Sequence, residues 1–119
     1  MERIWIGLAS LAGLLAVAVA AVAAHALPDE AARLVAASAV QMQGWHALAL
    51  FGVGLWAPRG GWPAHLAGVA FALGTLAFCG ALYALAFAGR HTGPLAPTGG
   101  VLLMVGWALL GLSAIRPRR

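Results

Sequence analysis

Ile4–Ala24 reads IWIGLASLAGLLAVAVAAVAA, an unbroken apolar run without a Lys, Arg, Asp or Glu. An α-helix rises 1.5 Å per residue, so about 20 such residues cross the hydrocarbon core of a bilayer. Three further runs share this character: Ala39–Ala57, Leu66–Ala88 and Gly99–Ile115, the last at the short end. No water is present at that depth to satisfy N–H and C=O groups, so each run must pair its backbone internally as a helix. A barrel would require alternating strands of about ten residues, and these runs are continuous and rich in Ala, Leu and Gly. The sequence predicts an all-α membrane protein, an up-down bundle of four transmembrane helices forming a single domain over residues 1–119.

Composition agrees. Hydrophobic residues make up 63% of the chain and charged residues 8%, far from the balance of a soluble domain. The net charge of +4 comes from seven Arg, no Lys and three acids. These arginines flank the apolar runs and form no single patch, which argues for a role in topology and against nucleic acid. Ala24-His25-Ala26 is similar to a small-residue cleavage site. The run before it exceeds the 7–15 residues of a signal core, so it reads as a retained helix.

Four spans put both termini on one side. That side holds Arg3, Arg59, Arg116, Arg118 and Arg119, against Arg33 and Arg90 on the other. The bias of short-loop Lys and Arg toward the cytoplasm places both termini inside and predicts a multi-pass membrane protein. Trp5, Trp56 and Trp62 fall near the inner boundary, where amphipathic rings are favoured. In the first outer link, His25–Ser38, Pro28-Asp29-Glu30 reads as the first turn of a short interfacial helix, with a covered loop as the alternative. Pro58–His65 reads as a tight hairpin. Thr98 reads as an N-cap of the fourth span. Small residues recur every four positions at Ala12, Ala16, Ala20 and Ala24, and at Gly80, Ala84 and Ala88. That spacing predicts that Ala16, Ala20, Gly80 and Ala84 face neighbouring helices.

The uncharged polar residues gather toward the outer half: Gln41, Gln43 and His46 in the second span, Tyr83 in the third, His25 ending the first, and Thr98 before the fourth. His46 should lie about 10–12 Å along its helix from the outer start. Polar and ionisable groups at such depth face the bundle interior or a wet cavity. Two readings stand side by side. The groups hydrogen-bond across helices, at about 0.6–2 kcal/mol each, or they line an outward-opening pocket that binds a lipid, quinone or similar amphiphile or docks a partner helix.

Chemistry beyond binding finds little support. HExxH and cysteine clusters are missing, as are nucleophile triads, phosphate loops and paired carboxylates. Cys79 is the single cysteine, which rules out an intrachain disulfide. His25, Met42 and His46 are weak candidates for soft copper. Transport or redox work through His46, with copper or protons as cargo, is the alternative reading. Its short helices leave little room for a conduction path, so that reading calls for a homo-oligomer or a partner membrane protein.

Four blocks carry a resemblance. Ala24-His25-Ala26-Leu27 is similar to an Ala-His-Gly-Leu motif, and Ala39 to Ala49 (AVQMQGWHALA) contains both glutamines and the histidine of a distinctive segment. Phe78-Cys79-Gly80-Ala81-Leu82-Tyr83 places Cys79 where a serine is usual. Gly93-Pro94-Leu95-Ala96-Pro97-Thr98-Gly99-Gly100, followed by Gly106-Trp107, closes the pattern. Together they resemble the YgdD-like family of small bacterial inner-membrane proteins. The resemblance implies a four-helix inner-membrane protein and brings no activity with it.

Overall fold

The computed structural model describes residues 2–115. Arg116, Arg118 and Arg119, three of the arginines in the topology argument, lie outside the described residues. Four α-helices follow in order: α1 (Glu2–Ala26), α2 (Glu30–Gly60), α3 (Trp62–Ala88) and α4 (Leu95–Ile115). Among the described residues there are no strands.

Three of the helices, α1, α3 and α4, are long and apolar enough to cross a membrane. The fourth expected span, on α2, carries Gln41, Gln43 and His46 within its length and arginines near both ends. It has the length to cross and a lower hydropathy. Its neighbours cover Gln43 and His46, whereas Gln41 is exposed.

The link between α1 and α2 is shorter than expected. The helix predicted there exists, but it runs without a break into the second span, and the chain turns within residues 27–29. No glycine or proline interrupts the alanine-rich stretch from Glu30 to Ala39, so one helix continues through it. Asp29 is the N-cap, its Oδ2 accepting from the Ala32 N–H at 3.2 Å. Pro28 therefore precedes the helix and is not its first residue. Arg33 Nη1 donates to the Leu27 and Pro28 carbonyls at 2.9 and 3.2 Å, tying the link to α2.

The link between α2 and α3 is a single residue, Gly61, at φ 68°. Its N–H donates to the Ala57 carbonyl at 3.0 Å, and the positive φ is affordable without a Cβ. α3 ends in the same way on Gly89, at φ 64°. α4 begins at Leu95, ahead of the expected Gly99. Thr98 is thus inside the first turn and not its cap; its N–H and hydroxyl both bond the Pro94 carbonyl. Pro97 is tolerated there because first-turn N–H groups have no intrahelical acceptor.

Packing follows chain order, α1 on α2, α2 on α3 and α3 on α4, with a minor α2–α4 contact. The Cα envelope is flattened, 55 × 26 × 17 Å. Burial concentrates on α2 and α3, where Val53, Pro63 and Phe71 are the largest fully enclosed side chains. The outer surface is apolar, with Leu14, Val17, Leu48, Leu76 and Ile115 exposed. Lipid is the solvent that suits such a surface.

Small residues do set the close approaches, though largely at other positions than the spacing suggested. Ala16 is buried as expected, one of the series Ala9, Ala16, Ala23 that α1 turns inward. Ala20 and Gly80 are exposed, and a Cβ at Gly80 would meet nothing within 4 Å. The tight contacts are glycines facing large side chains or backbone: Gly68 beneath the Trp5 ring, Gly106 beneath Phe71, and Gly99 against the Phe78 backbone. A four-residue alanine repeat marks a face without saying which neighbour it meets.

Candidate functional site

The polar residues of α2 divide between two sides of the helix. His46 is 3% exposed and faces α3 and α4. Its ring lies 5.6 Å from that of Phe71 and 5.9 Å from that of Trp107, which are 5.0 Å from each other. Trp107 Nε1 donates to His46 Nε2 at 3.1 Å, and His46 Nδ1 lies 2.6 Å from the Met42 carbonyl. An indole N–H can only donate and a carbonyl can only accept. These partners require an accepting Nε2 and a hydrogen on Nδ1. Both ring nitrogens are engaged within the protein.

Gln43, about 60° around the helix from His46, faces α1 and α3. Its Nε2 donates to the Ala12 carbonyl of α1 at 2.8 Å, and its Oε1 accepts from the Tyr83 hydroxyl of α3 at 2.7 Å. One buried side chain thus joins three helices. Next to it, Cys79 Sγ donates to the Ala39 carbonyl at 3.3 Å, the bond a serine hydroxyl would make there.

Between α1 and α3, with α2 as its floor, lies a groove of about 350 Å³. Leu8, Leu11, Leu15 and Val19 form the α1 wall; Ala72, Leu76 and Gly80 are on the α3 wall. Gln43, Thr75, Cys79 and Tyr83 supply the polar atoms of an otherwise apolar lining. Thr75 Oγ1 is buried with no hydrogen-bond partner among the described residues. The groove volume falls in the range of small-molecule sites, which are mostly apolar with a few placed polar groups.

Of the residues expected to form one outer polar cluster, the structure brings Gln43 and Tyr83 into direct contact. His46 sits in the separate aromatic seam, bonded to neither. His25 and Gln41 are exposed, as is Thr98, which bonds within its own turn. Met42 meets His46 through its backbone carbonyl, and among the described residues no group of three His, Cys, Asp or Glu could hold a metal ion.

Sequence reasoning missed the tryptophans as donors. Trp5, expected at the membrane boundary, is 5% exposed, and its Nε1 donates to His65 Nδ1 at 2.9 Å, joining α1 to α3. Trp56 Nε1 donates to Ser113 Oγ at 2.9 Å, joining α2 to α4. The signal was available: a buried Trp N–H needs an acceptor, and His46 and Ser113 lie within the apolar runs with His65 at the edge of one.

The family model described as "Protein of unknown function (DUF423)" matches residues 19–100. The chain belongs to this family. It is 33% identical over 122 residues to the UPF0382 membrane protein of Haemophilus influenzae, an alignment covering 99% of this chain and 98% of the relative. To the UPF0382 inner membrane protein YgdD of Escherichia coli it is 32% identical over 124 residues, covering 99% and 94%. A UPF0382 membrane protein of Staphylococcus epidermidis is 30% identical over 118 residues, covering 96% and 97%. No solved structure matches. With relatives matched along nearly their full length and an apolar helical exterior, this member of the DUF423 family is a membrane protein.

Proposed function

We propose that the chain is a non-enzymatic binding protein of the inner membrane whose α1/α3 groove holds the apolar part of an amphiphile such as a lipid or quinone. The observation that carries this reading is the groove itself: about 350 Å³ left unfilled between well-packed helices, with apolar walls and a buried Thr75 hydroxyl lacking a partner. A threonine in a helix has two accessible χ1 rotamers, so a turn about χ1 could aim this hydroxyl at a ligand carbonyl or hydroxyl. Both termini are taken as cytoplasmic, supported by the five-to-two arginine asymmetry.

Gly80→Phe tests the groove. A side chain there meets open space, so the ring should occupy the slot while the fold survives. In purified protein, retention of a photoactivatable acyl or ubiquinone-like probe should fall about tenfold or more, the effect of losing roughly 1.4 kcal/mol of binding. Equal labelling of Gly80→Phe and the parent chain would refute the reading. Single cysteines in a Cys79→Ser background test the orientation. Positions 30 and 92 should react with an impermeant outer reagent and position 60 should not.

A further inference from the structure

A second groove, of about 360 Å³, lies at the outer end of the α1/α2 seam and shares no lining residue with the first. Its walls are small and apolar: Ala20, Ala23 and Ala24 from α1, Ala37 and Val40 from α2. Two polar side chains also line it, Arg33 and Gln41, and neither has its hydrogen-bonding capacity met by the protein.

Arg33 is held in place but not neutralised. Nη1 is fixed on the Leu27 and Pro28 carbonyls, whereas Nη2 and Nε have no acceptor among the described residues. Asp29 and Glu30 are nearby in sequence, yet no ion pair joins Arg33 to either among the described residues. The Asp29 carboxylate is committed to the Ala32 N–H. A guanidinium oriented by two carbonyls, with a pair of donors left over, is preorganised for an anionic oxygen pair.

Gln41 stands eight residues deeper on α2, about 12 Å along the axis. It is exposed in the groove and makes no hydrogen bond among the described residues. Two residues past the start of the apolar run at Ala39, such an amide is open to a hydrogen-bond partner from the lipid. Gln41 and Arg33 line the same groove at different depths.

We infer that this groove binds a glycerophospholipid, with the phosphate on Arg33, a glycerol ester carbonyl on the Gln41 amide, and the first methylenes of an acyl chain along the alanine wall. The sequence of functions with depth supports this occupant. A cationic group for an anion lies outermost, an uncharged hydrogen-bond donor deeper, and an apolar wall alongside. Free phosphate would satisfy Arg33 and leave Gln41 and the alanine wall unused. A neutral diglyceride would do the reverse. The site is independent of the α1/α3 groove reading, because the two grooves have different walls and different polar groups.

Native mass spectrometry of the full chain released from detergent micelles, with dioleoyl-phosphatidylglycerol as probe, tests the assignment. One phosphatidylglycerol should persist per chain at activation energies that strip bulk lipid. Arg33→Gln should lower the retained fraction about tenfold, the effect of losing a charge-assisted pair. Gln41→Leu should lower it about threefold to tenfold. Gln41 has no internal bond to lose, so its substitution leaves a falsifiable arm even if Arg33→Gln loosens the link. Millimolar inorganic phosphate should not displace the lipid, and dioleoylglycerol should be retained far less. Equal retention in the parent chain and both variants would reduce the adduct to annular lipid and overturn the proposal. Displacement by inorganic phosphate would overturn it in favour of a free-anion site, and equal retention of dioleoylglycerol would remove the phosphate from the assignment. Gly80→Phe serves as the control that separates the two readings: it should empty the α1/α3 groove and leave phosphatidylglycerol bound.

Discussion

His46 and Gln43 stand three residues apart on α2 and serve two differently built sides of the molecule. On the α2/α3/α4 side, every polar atom of His46 has a partner, two aromatic rings close over it, and Gly99 and Gly106 bring α4 against α3. On the α1/α3 side, the helices are tied at separate points, by Trp5 to His65 and by Gln43 to Ala12 and Tyr83, and a groove remains between them. A histidine inside a membrane protein invites a functional assignment. Here both ring nitrogens of the histidine are engaged within the protein, and the less conspicuous glutamine borders the groove in which we propose that a ligand sits.

The largest expected effect comes from breaking the closed side. His46→Ala should remove ring packing against Phe71 and Trp107 and orphan the Trp107 N–H. Emptying a packed aromatic site costs about 3–5 kcal/mol, with the unpartnered donor a part of that sum. Unfolding in mixed micelles would measure it. A loss below about 1 kcal/mol would mean the seam is not the closed side after all. Amphiphile retention, scaled to the folded fraction, should stay unchanged, because His46 does not line the α1/α3 groove.

Tyr83→Phe probes the open side at its tie and should act more gently. It removes the O–H bond to Gln43 Oε1 while the Gln43 bond to Ala12 persists. Interhelical hydrogen bonds in bilayers average about 0.6 and reach about 1.7 kcal/mol, so the same unfolding measurement should show a loss in that range. A cost as large as that of His46→Ala would show the two sides to be equally rigid and erase the distinction drawn here.

Much of this was legible in the sequence. The apolar runs gave the helical class, and Gln43, His46 and Tyr83 stood out because polar groups at membrane depth require partners. Their pairing was not legible. Residues three apart on a helix differ by about 60° in direction, enough to send Gln43 to α1 and His46 to α4. Depth alone carries no information about azimuth. The same gap misplaced Ala20 and Gly80, whose spacing marked a face and not the neighbour opposite. The continuation of α2 through Glu30–Ser38 was hidden because its Arg33 and Ser38 read as link composition, although nothing in that stretch breaks a helix.

Thr75→Val is the smallest expected change and the most discriminating one. The substitution nearly keeps the shape and removes a buried hydroxyl that has no partner. In the empty protein this should be neutral or stabilising, by about 0–1 kcal/mol, since no hydrogen bond is lost and a desolvated polar group disappears. With ligand present the sign reverses if the hydroxyl turns into the groove and bonds the amphiphile. Probe retention should then fall about fivefold to tenfold, the effect of one lost hydrogen bond. Opposite signs in the two measurements would mark Thr75 as a binding residue carried at a small cost to the fold. Stabilisation with unchanged retention would leave the groove purely apolar in its recognition, with selectivity set by chain shape alone. Destabilisation of the empty protein would mean that the hydroxyl finds a backbone carbonyl in solution, and the contrast between the saturated and the open side would then rest on the groove volume.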